Sequence, residues 1–203
     1  MVNVMADLSL DEPTAQRGRP RDPSRDRAIL EAARSVLAER GFTGASMEAI
    51  AHTAGVGKDT VYRRWSSKED LVGRLLEVLA DEGVSARSID DDPRFALFLF
   101  LQDVVRLNTE SDFGAIVAGV VGESARNAEL ATRFREFWAA RRQVARDLVL
   151  DTVGPATSSE AERIVDHLVG PIYYRLLLSG DPVTDEYLWD LVMTIPWPDD
   201  DPS

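Results

Sequence analysis

The glycine at position 55, set between two short apolar-patterned stretches in residues 46–65 (SMEAIAHTAGVGKDTVYRRW), restricts this chain more than any other feature. Counted from Met47, a small residue stands fifth (Ala51), glycine ninth (Gly55) and a β-branched apolar residue fifteenth (Val61). Each position has a physical reason. Two helices that cross closely leave room for no more than a methyl group at Ala51. A sharp turn between them needs positive φ, which glycine adopts without strain. Ile50, Val56, Val61 and Trp65 then supply the apolar contacts that fix the crossing angle. The spacing predicts a helix from an Ser46 N-cap to about Ala54, a turn at Gly55, and a second helix over Lys58–Trp65. That is the helix-turn-helix layout, whose second helix enters the DNA major groove.

With Val61 and Trp65 turned inward, Lys58, Thr60, Tyr62 and Arg63 face outward, as hydroxyl and cationic donors for phosphates and base edges. Lys68 and the first-turn amides of the following helix are expected to add a phosphate clamp. The same spacing would also suit a surface helix pair with ordinary solvated charges. A net charge of −12 argues against a nucleic-acid partner until its distribution is considered. Residues 17–74 hold 12 Lys/Arg against 8 Asp/Glu, and the rest of the chain 11 against 27. A basic front on an acidic body suits a protein that binds DNA at one end.

The periodicity along the chain is helical throughout, and no convincing strand pair or repeat interrupts it, so an all-α fold is expected. Residues 1–22 read as a flexible basic arm. Asp22 and Pro23 open a helix with Ile29, Ala32, Ala33, Val36 and Leu37 on one face, ended by Gly41, with Phe42 tucked beneath the next helix pair. Ser66 and Glu69 have capping-box spacing at the start of a helix running to about Val84. Asp90-Asp91-Asp92-Pro93 is the clearest break. The helix after it, with Phe95, Leu97, Phe98, Phe100, Leu101, Val104 and Val105, is apolar on every side and should be buried all round. Small residues crowd 113–125 (Gly114, Ala118 and Gly122; Ala115 and Gly119), which points to close helix approach or to space for something else. Helices follow over 128–153, from Ser158 or Ser159 to about Ser179, and near 184–194. The domains are therefore an arm (1–22), a DNA-binding head (23–75), a rear domain (76–195) and an acidic disordered tail (196–203).

The run from Ala49-Ile50-Ala51 through Ala54-Gly55-Val56, Thr60-Val61-Tyr62-Arg63 and Trp65 to Ser67-Lys68-Glu69-Asp70-Leu71 resembles the DNA-binding domain of the tetracycline-repressor (TetR) family, over residues 24–75. The resemblance implies a homodimer of three-helix heads on an α-helical effector domain whose eighth and ninth helices pair across the two-fold. It also implies that Ser46, Thr60, Tyr62 and Lys68 hold the DNA backbone while Gly57, Lys58 and Arg63 lie nearest the bases. This chain departs from the commonest family pattern at Gly57, often Ser or Ala, at Asp59, often Gly or Pro, and at Trp65, usually Phe. Ahead of the head, Arg17-Gly18-Arg19-Pro20-Arg21 is similar to the core of AT-hook segments, in which arginines such as Arg17 and Arg19 enter a narrow minor groove. A solubilising basic tail would look the same.

The resemblance further implies a pocket for a small hydrophobic or aromatic effector. Phe98, Gln102, Phe113, Ile116, Val120, Phe134, Phe137, Trp138 and Tyr173 are candidate lining residues, although each would serve equally in an ordinary helical core. Arg175 is a candidate anchor for an anionic ligand or a partner for a local carboxylate, and His167 reads as a structural or interface histidine. Ile164, Leu168, Leu176 and residues 187–191 are expected in the dimer interface, which would place two recognition helices roughly 34 Å or somewhat more apart on a palindromic operator.

The expected function is that of a DNA-binding transcriptional regulator, a dimeric repressor released from its operator by the effector. An effector-independent architectural protein is the alternative. An enzyme is disfavoured: the chain has no cysteine, only two separated histidines, no glycine-rich phosphate loop and no serine elbow. No cofactor or metal is expected. No signal peptide and no bilayer-length apolar run are read in the sequence, so a cytoplasmic location without membrane contact is expected.

Overall fold

The computed structural model describes residues 23–84, 92–153 and 157–197, and the architecture there is all-α. The expected arm with Arg17 and Arg19, the Asp22 cap, Asp90, Asp91, the Gly154-Pro155 turn and the acidic run at 199–201 lie outside the described residues.

The head is built from α1 (Pro23–Gly44), α2 (Met47–Thr53), α3 (Lys58–Tyr62) and the first half of α4 (Lys68–Gly83). α1 buries Ile29, Leu30, Ala33, Val36 and Leu37, an i, i+3/i+4 stripe, and Gly41 breaks its helical path at φ 66°. The chain turns back for one further turn to Gly44, which drops Phe42 into the core. Gly55 takes φ 65° between α2 and α3. α3 is shorter than the expected Lys58–Trp65: Arg63 caps it, and Trp65 leaves the helix to enter the core at 7% exposure.

The cap of α4 is also corrected. Ser67, not Ser66, accepts the amide of Asp70 (3.1 Å), while Ser66 donates its amide and hydroxyl to the Asp70 carboxylate. Glu69, expected in the box, instead accepts from Asn127 at 2.8 Å. A carboxylate one residue further on, Asp70, takes that role while Glu69 is held by Asn127.

Behind the head stand α5 (Pro93–Thr109), α6 (Asp112–Ser124), α7 (Ala128–Val153), α8 (Ser158–Tyr174) and α9 (Asp185–Met193). The head's apolar core does not close at residue 75. Leu76, Leu79 and Ala80 of α4, Phe113, Ile116, Val117 and Val120 of α6, and Leu130 and Phe137 of α7 continue it. The expected boundary at 75/76 falls inside one unbroken helix. A second core joins α5, the far half of α7, α8 and α9 through Leu97, Leu101, Val149, Leu168, Ile172 and Val192.

Three further expectations change. α5 is not buried all round: Leu97, Leu101 and Val104 are, but Phe95 is 38% exposed and stacks on half-buried Phe98 at 5.9 Å. α5 packs against α4, α6, α7, α8 and α9, and Phe98 meets Trp189 of α9 edge-on at 5.6 Å. The cap of α8 is Thr157, in a reciprocal box with Glu160, one residue ahead of the expected serines. Beyond Tyr174, α8 widens into a π-helical turn, Arg175–Ser179, closed by Gly180 at φ 72°. Ordered packing also passes the expected start of the tail at Pro196. Trp197 is buried, donates its indole N–H to the Val192 carbonyl at 3.0 Å, and lies 4.7 Å under the Arg94 guanidinium. Among the described residues no helix is long and apolar enough to cross a membrane.

Of the three glycines in α6, Gly114 is the close approach: a Cβ there would lie 2.0 Å from the Asn108 carbonyl oxygen. Gly119 and Gly122 meet nothing within 4 Å.

Candidate functional site

Val61 is fully buried against the head core, and this orients the rest of α3. Gly57 caps the helix without a side chain, and the space where its Cβ would stand is open. Lys58, Tyr62 and Arg63 are exposed and Thr60 is half-buried, so the four expected donors all keep access to solvent. Ser46 is exposed at the start of α2, where its Oγ accepts the Ala49 amide at 3.1 Å and keeps its own proton for another partner.

The donors on this face are already engaged with one another. Lys58 pairs with Glu48 of α2, and its ammonium lies 5.4 Å from the Tyr62 ring centroid. Hydrogen bonding from Lys58 holds the Glu48 carboxyl below the usual carboxylate range. Arg63 reaches the Thr60 hydroxyl at 3.4 Å. Glu48 was not singled out in the sequence, and Asp59 stands beside Lys58, so two acids balance Lys58 and Arg63 on this surface.

Lys68 is placed differently from its expected role. Its ammonium is turned inward, donating to the carbonyls of Phe42 (2.7 Å) and Ala45 (2.9 Å), and sits 4.0 Å from the Phe42 ring centroid. Both carbonyls lie at the end of α1, where a cation is favourably placed, and the Phe42 carbonyl also accepts the Ala45 amide at 3.3 Å. Of the first-turn amides of α4, that of Asp70 donates to the Ser67 hydroxyl at 3.1 Å, and the Asp70 carboxylate accepts the Ser66 amide just ahead of the helix. Arg64, which sequence reasoning passed over, pairs with Asp26 of α1 and donates to the Thr60 carbonyl at 3.1 Å, locking the end of α3 to α1. Nothing in its local spacing distinguishes it from Arg63.

The rear domain holds a cavity of about 410 Å³ walled by α4 through α8. Of the candidate lining residues, Phe113, Phe137, Trp138 and Tyr173 border it. Phe98 lies against Trp189, Gln102 donates to Asp185, Ile116 and Val120 are buried in the head core, and Phe134 stacks on Phe137. Arg175 opens the π turn, donating to the Pro182 carbonyl at 2.6 Å and lying 3.5 Å from the Tyr187 ring. Arg175 is not among the residues that border the cavity.

The charged lining residues, Arg141, Arg142 and Asp166, were missed. A signal for two of them existed, since Trp138, Arg141, Arg142 and Ala145 recur on one face of α7 at helical spacing. Arg142 pairs with Asp166 across α7 and α8, and Arg141 with Asp81 of α4 at 2.9 Å. Burial pushes the Tyr173 phenol up to about 12, partly opposed by its hydrogen bond with Asn108.

The residues expected in a dimer interface are engaged within the subunit: Ile164, Leu168, Leu188 and Leu191 are buried in its own rear core, and Leu176 is half-buried. The open face of α8 and its π turn carries Arg163, His167, Gly170, Tyr174 and Leu178, an i, i+3/i+4 stripe. Tyr174 and Leu178 are 58% and 77% exposed, and Met193 of α9 is 47% exposed. His167 contacts Thr194 at the end of α9 at 2.7 Å, which sets the two helices side by side.

Comparison with known proteins agrees with this geometry. Residues 29–75 match the bacterial regulatory proteins of the tetR family, and residues 90–195 match the tetracyclin repressor-like C-terminal domain. An uncharacterized HTH-type transcriptional regulator, YdeS, of Bacillus subtilis (strain 168) is 34% identical over 189 residues, covering 88% of this chain and 91% of that protein. Among solved structures, the TetR family transcription regulator SCO0332 is similar with a TM-score of 0.69 and 27% identity over 84% of this chain and 95% of its own. The flavonoid-responsive regulator FrrA is similar in fold, with a TM-score of 0.63 and 22% identity over 85% of this chain and 93% of its own. A glycine-bent helix pair with a donor-bearing second helix, joined to a rear domain that matches the second profile, places the chain in one group: it belongs to the TetR family of helix-turn-helix transcriptional regulators.

Proposed function

We propose that the protein is a dimeric repressor that occupies a palindromic operator and is released from it by a small hydrophobic or aromatic effector bound in the rear cavity. The observation that carries the DNA half of this reading is the fully buried Val61, which leaves Lys58, Thr60, Tyr62 and Arg63 on the open side of α3. Tyr174, Leu178 and Met193 supply the apolar patch for two-fold pairing of α8 and α9, in place of the residues expected from sequence. Arg17 and Arg19 would add minor-groove or phosphate contacts from the arm.

Coupling runs through α4. Its first half packs Leu71, Val72 and Leu75 into the head, and Ala80 and Val84 face the cavity. Arg133–Asp70 (3.3 Å), Ser67–Glu129 (2.6 Å) and Arg141–Asp81 tie α4 to α7. A ligand that fills the cavity presses on a helix that cannot move without the head. Release requires the effector to prefer the unbound arrangement; ~10⁴-fold preference would swing the population from nearly all bound to nearly all free. The cavity is read as a binding site rather than a catalytic one, with its arginines paired and its phenol held neutral, and the protein as acting on DNA in the cytoplasm. The response of FrrA to flavonoids, a property of that protein, is in keeping with a small-molecule effector here.

Selection of bound genomic fragments by the purified protein tests the reading. Recovery of inverted repeats, bound at two subunits per site, is the expected result. Recovery of fragments without two-fold symmetry refutes it.

A further inference from the structure

The cavity is apolar along most of its wall, and the way its few polar groups are engaged restricts what it accepts. Asn108 of α5 places one amide group 2.8 Å from the Val104 carbonyl. A carbonyl only accepts, so this group is the NH₂ and the carboxamide orientation is fixed. Its second proton goes to the Tyr173 phenol oxygen at 3.3 Å. The phenol is therefore an acceptor in that bond, and among the described residues nothing accepts its own proton. The ring is held in place by Trp138, edge-on at 4.9 Å and 88°, and both residues border the cavity. A largely buried hydroxyl proton without an acceptor is an unmet hydrogen bond, which a ligand oxygen or nitrogen would complete.

The charges on the wall point the other way. Arg142 is paired with Asp166 and Arg141 with Asp81. Each guanidinium on the wall is already neutralised by a carboxylate, so the charge of an anionic ligand would stay uncompensated in a largely apolar space, which is costly. The buried Arg141 Nε, which has no hydrogen-bond partner among the described residues, remains a donor open to a neutral acceptor.

We infer that the cavity takes an uncharged, largely aromatic molecule carrying a hydrogen-bond acceptor, such as a ketone or ether oxygen, which receives the Tyr173 proton. The inference rests on the reading of this cavity as the effector site. Tyr173 is then the residue that selects among apolar ligands, and Asn108 a positioning residue that keeps the phenol proton available by using the phenol oxygen as its acceptor.

The test uses three probes of one ring system: fluorene, 9-fluorenone and fluorene-9-carboxylate. Dissociation constants are measured by tryptophan fluorescence quenching on the full chain and its Tyr173→Phe variant. Loss of one neutral hydrogen bond predicts about 3- to 10-fold weaker 9-fluorenone binding in the variant. Fluorene affinity should stay within about twofold, which also shows that the variant's cavity is intact, and the carboxylate should bind most weakly to both proteins. An equal loss for fluorene and 9-fluorenone, or no loss for either, overturns the assignment of Tyr173 as donor. A carboxylate that binds more tightly than the ketone overturns the uncharged class. Absence of binding of all three to the unsubstituted protein removes the cavity reading itself, and the inference with it.

Discussion

Replacing Lys68 with methionine separates two roles that a lysine at the start of α4 could serve. Methionine keeps an apolar stem of similar length and removes the ammonium. In the folded head that ammonium donates to two carbonyls, of Phe42 and Ala45, and lies over the Phe42 ring. A hydrogen bond from a charged donor contributes about 1.5–3 kcal/mol. The site is only half-buried, so water recovers part of the loss, and ~2–4 kcal/mol is expected for the pair of bonds. For a chain of 203 residues that corresponds to a melting temperature lower by roughly 4–16 °C. The comparison should be made at one protein concentration, because dimerisation shifts apparent stability. The salt dependence of DNA affinity, measured below the melting range, should not change. A variant that melts like the parent while its salt slope falls by about one ion per subunit would refute the structural role and restore the phosphate contact.

Arg63→Ala should relax discrimination at particular base pairs by ~1–3 kcal/mol each, as read by binding to a panel of singly substituted operators; a uniform loss over the panel would move Arg63 to the phosphate class. Gly114→Ala should destabilise the fold by about 1–3 kcal/mol in denaturant titration, because its Cβ would meet the Asn108 carbonyl at 2.0 Å, and an unchanged midpoint would contradict that contact. Tyr173 keeps its proton in the folded state up to about 12, above its unfolded value of 10.0. The unfolded chain therefore loses this proton first, so stability should fall as pH rises from about 10 toward 12, and Tyr173→Phe should remove that component of the fall. Identical pH dependence in parent and variant would contradict the raised value.

The head was legible because its constraints are local. Ala51, Gly55 and Val61 fix a turn within fifteen residues, and no distant partner is needed to read it. The inward contacts of Lys68 were not legible for the opposite reason: the carbonyls of Phe42 and Ala45 stand 26 and 23 residues away, and local spacing does not reveal such a contact. The caps at Ser67 and Thr157 each fell one residue from expectation, since neighbouring serines, threonines and acids compete and only tertiary contacts such as Asn127–Glu69 decide between them. In the rear domain, helix extents were readable but allocation of faces was not. Ile164 and Leu168 carry the apolar stripe of α8 into the subunit's own core, while Tyr174 and Leu178 are left outside, and hydrophobic character alone does not distinguish the two. Ile116 and Val120 likewise serve the head core instead of the cavity, because α6 packs on α1.

The most direct test of α3 as the base-reading element is methylation interference on a selected operator, because dimethyl sulfate marks guanine N7 in the major groove and adenine N3 in the minor groove. Interference should fall on two symmetric groups of guanine N7 positions, centred about one helical turn or slightly more apart on one face of the duplex. Arg63→Ala should weaken both groups together. Interference confined to adenine N3, or guanine positions indifferent to substitution in α3, would contradict the account.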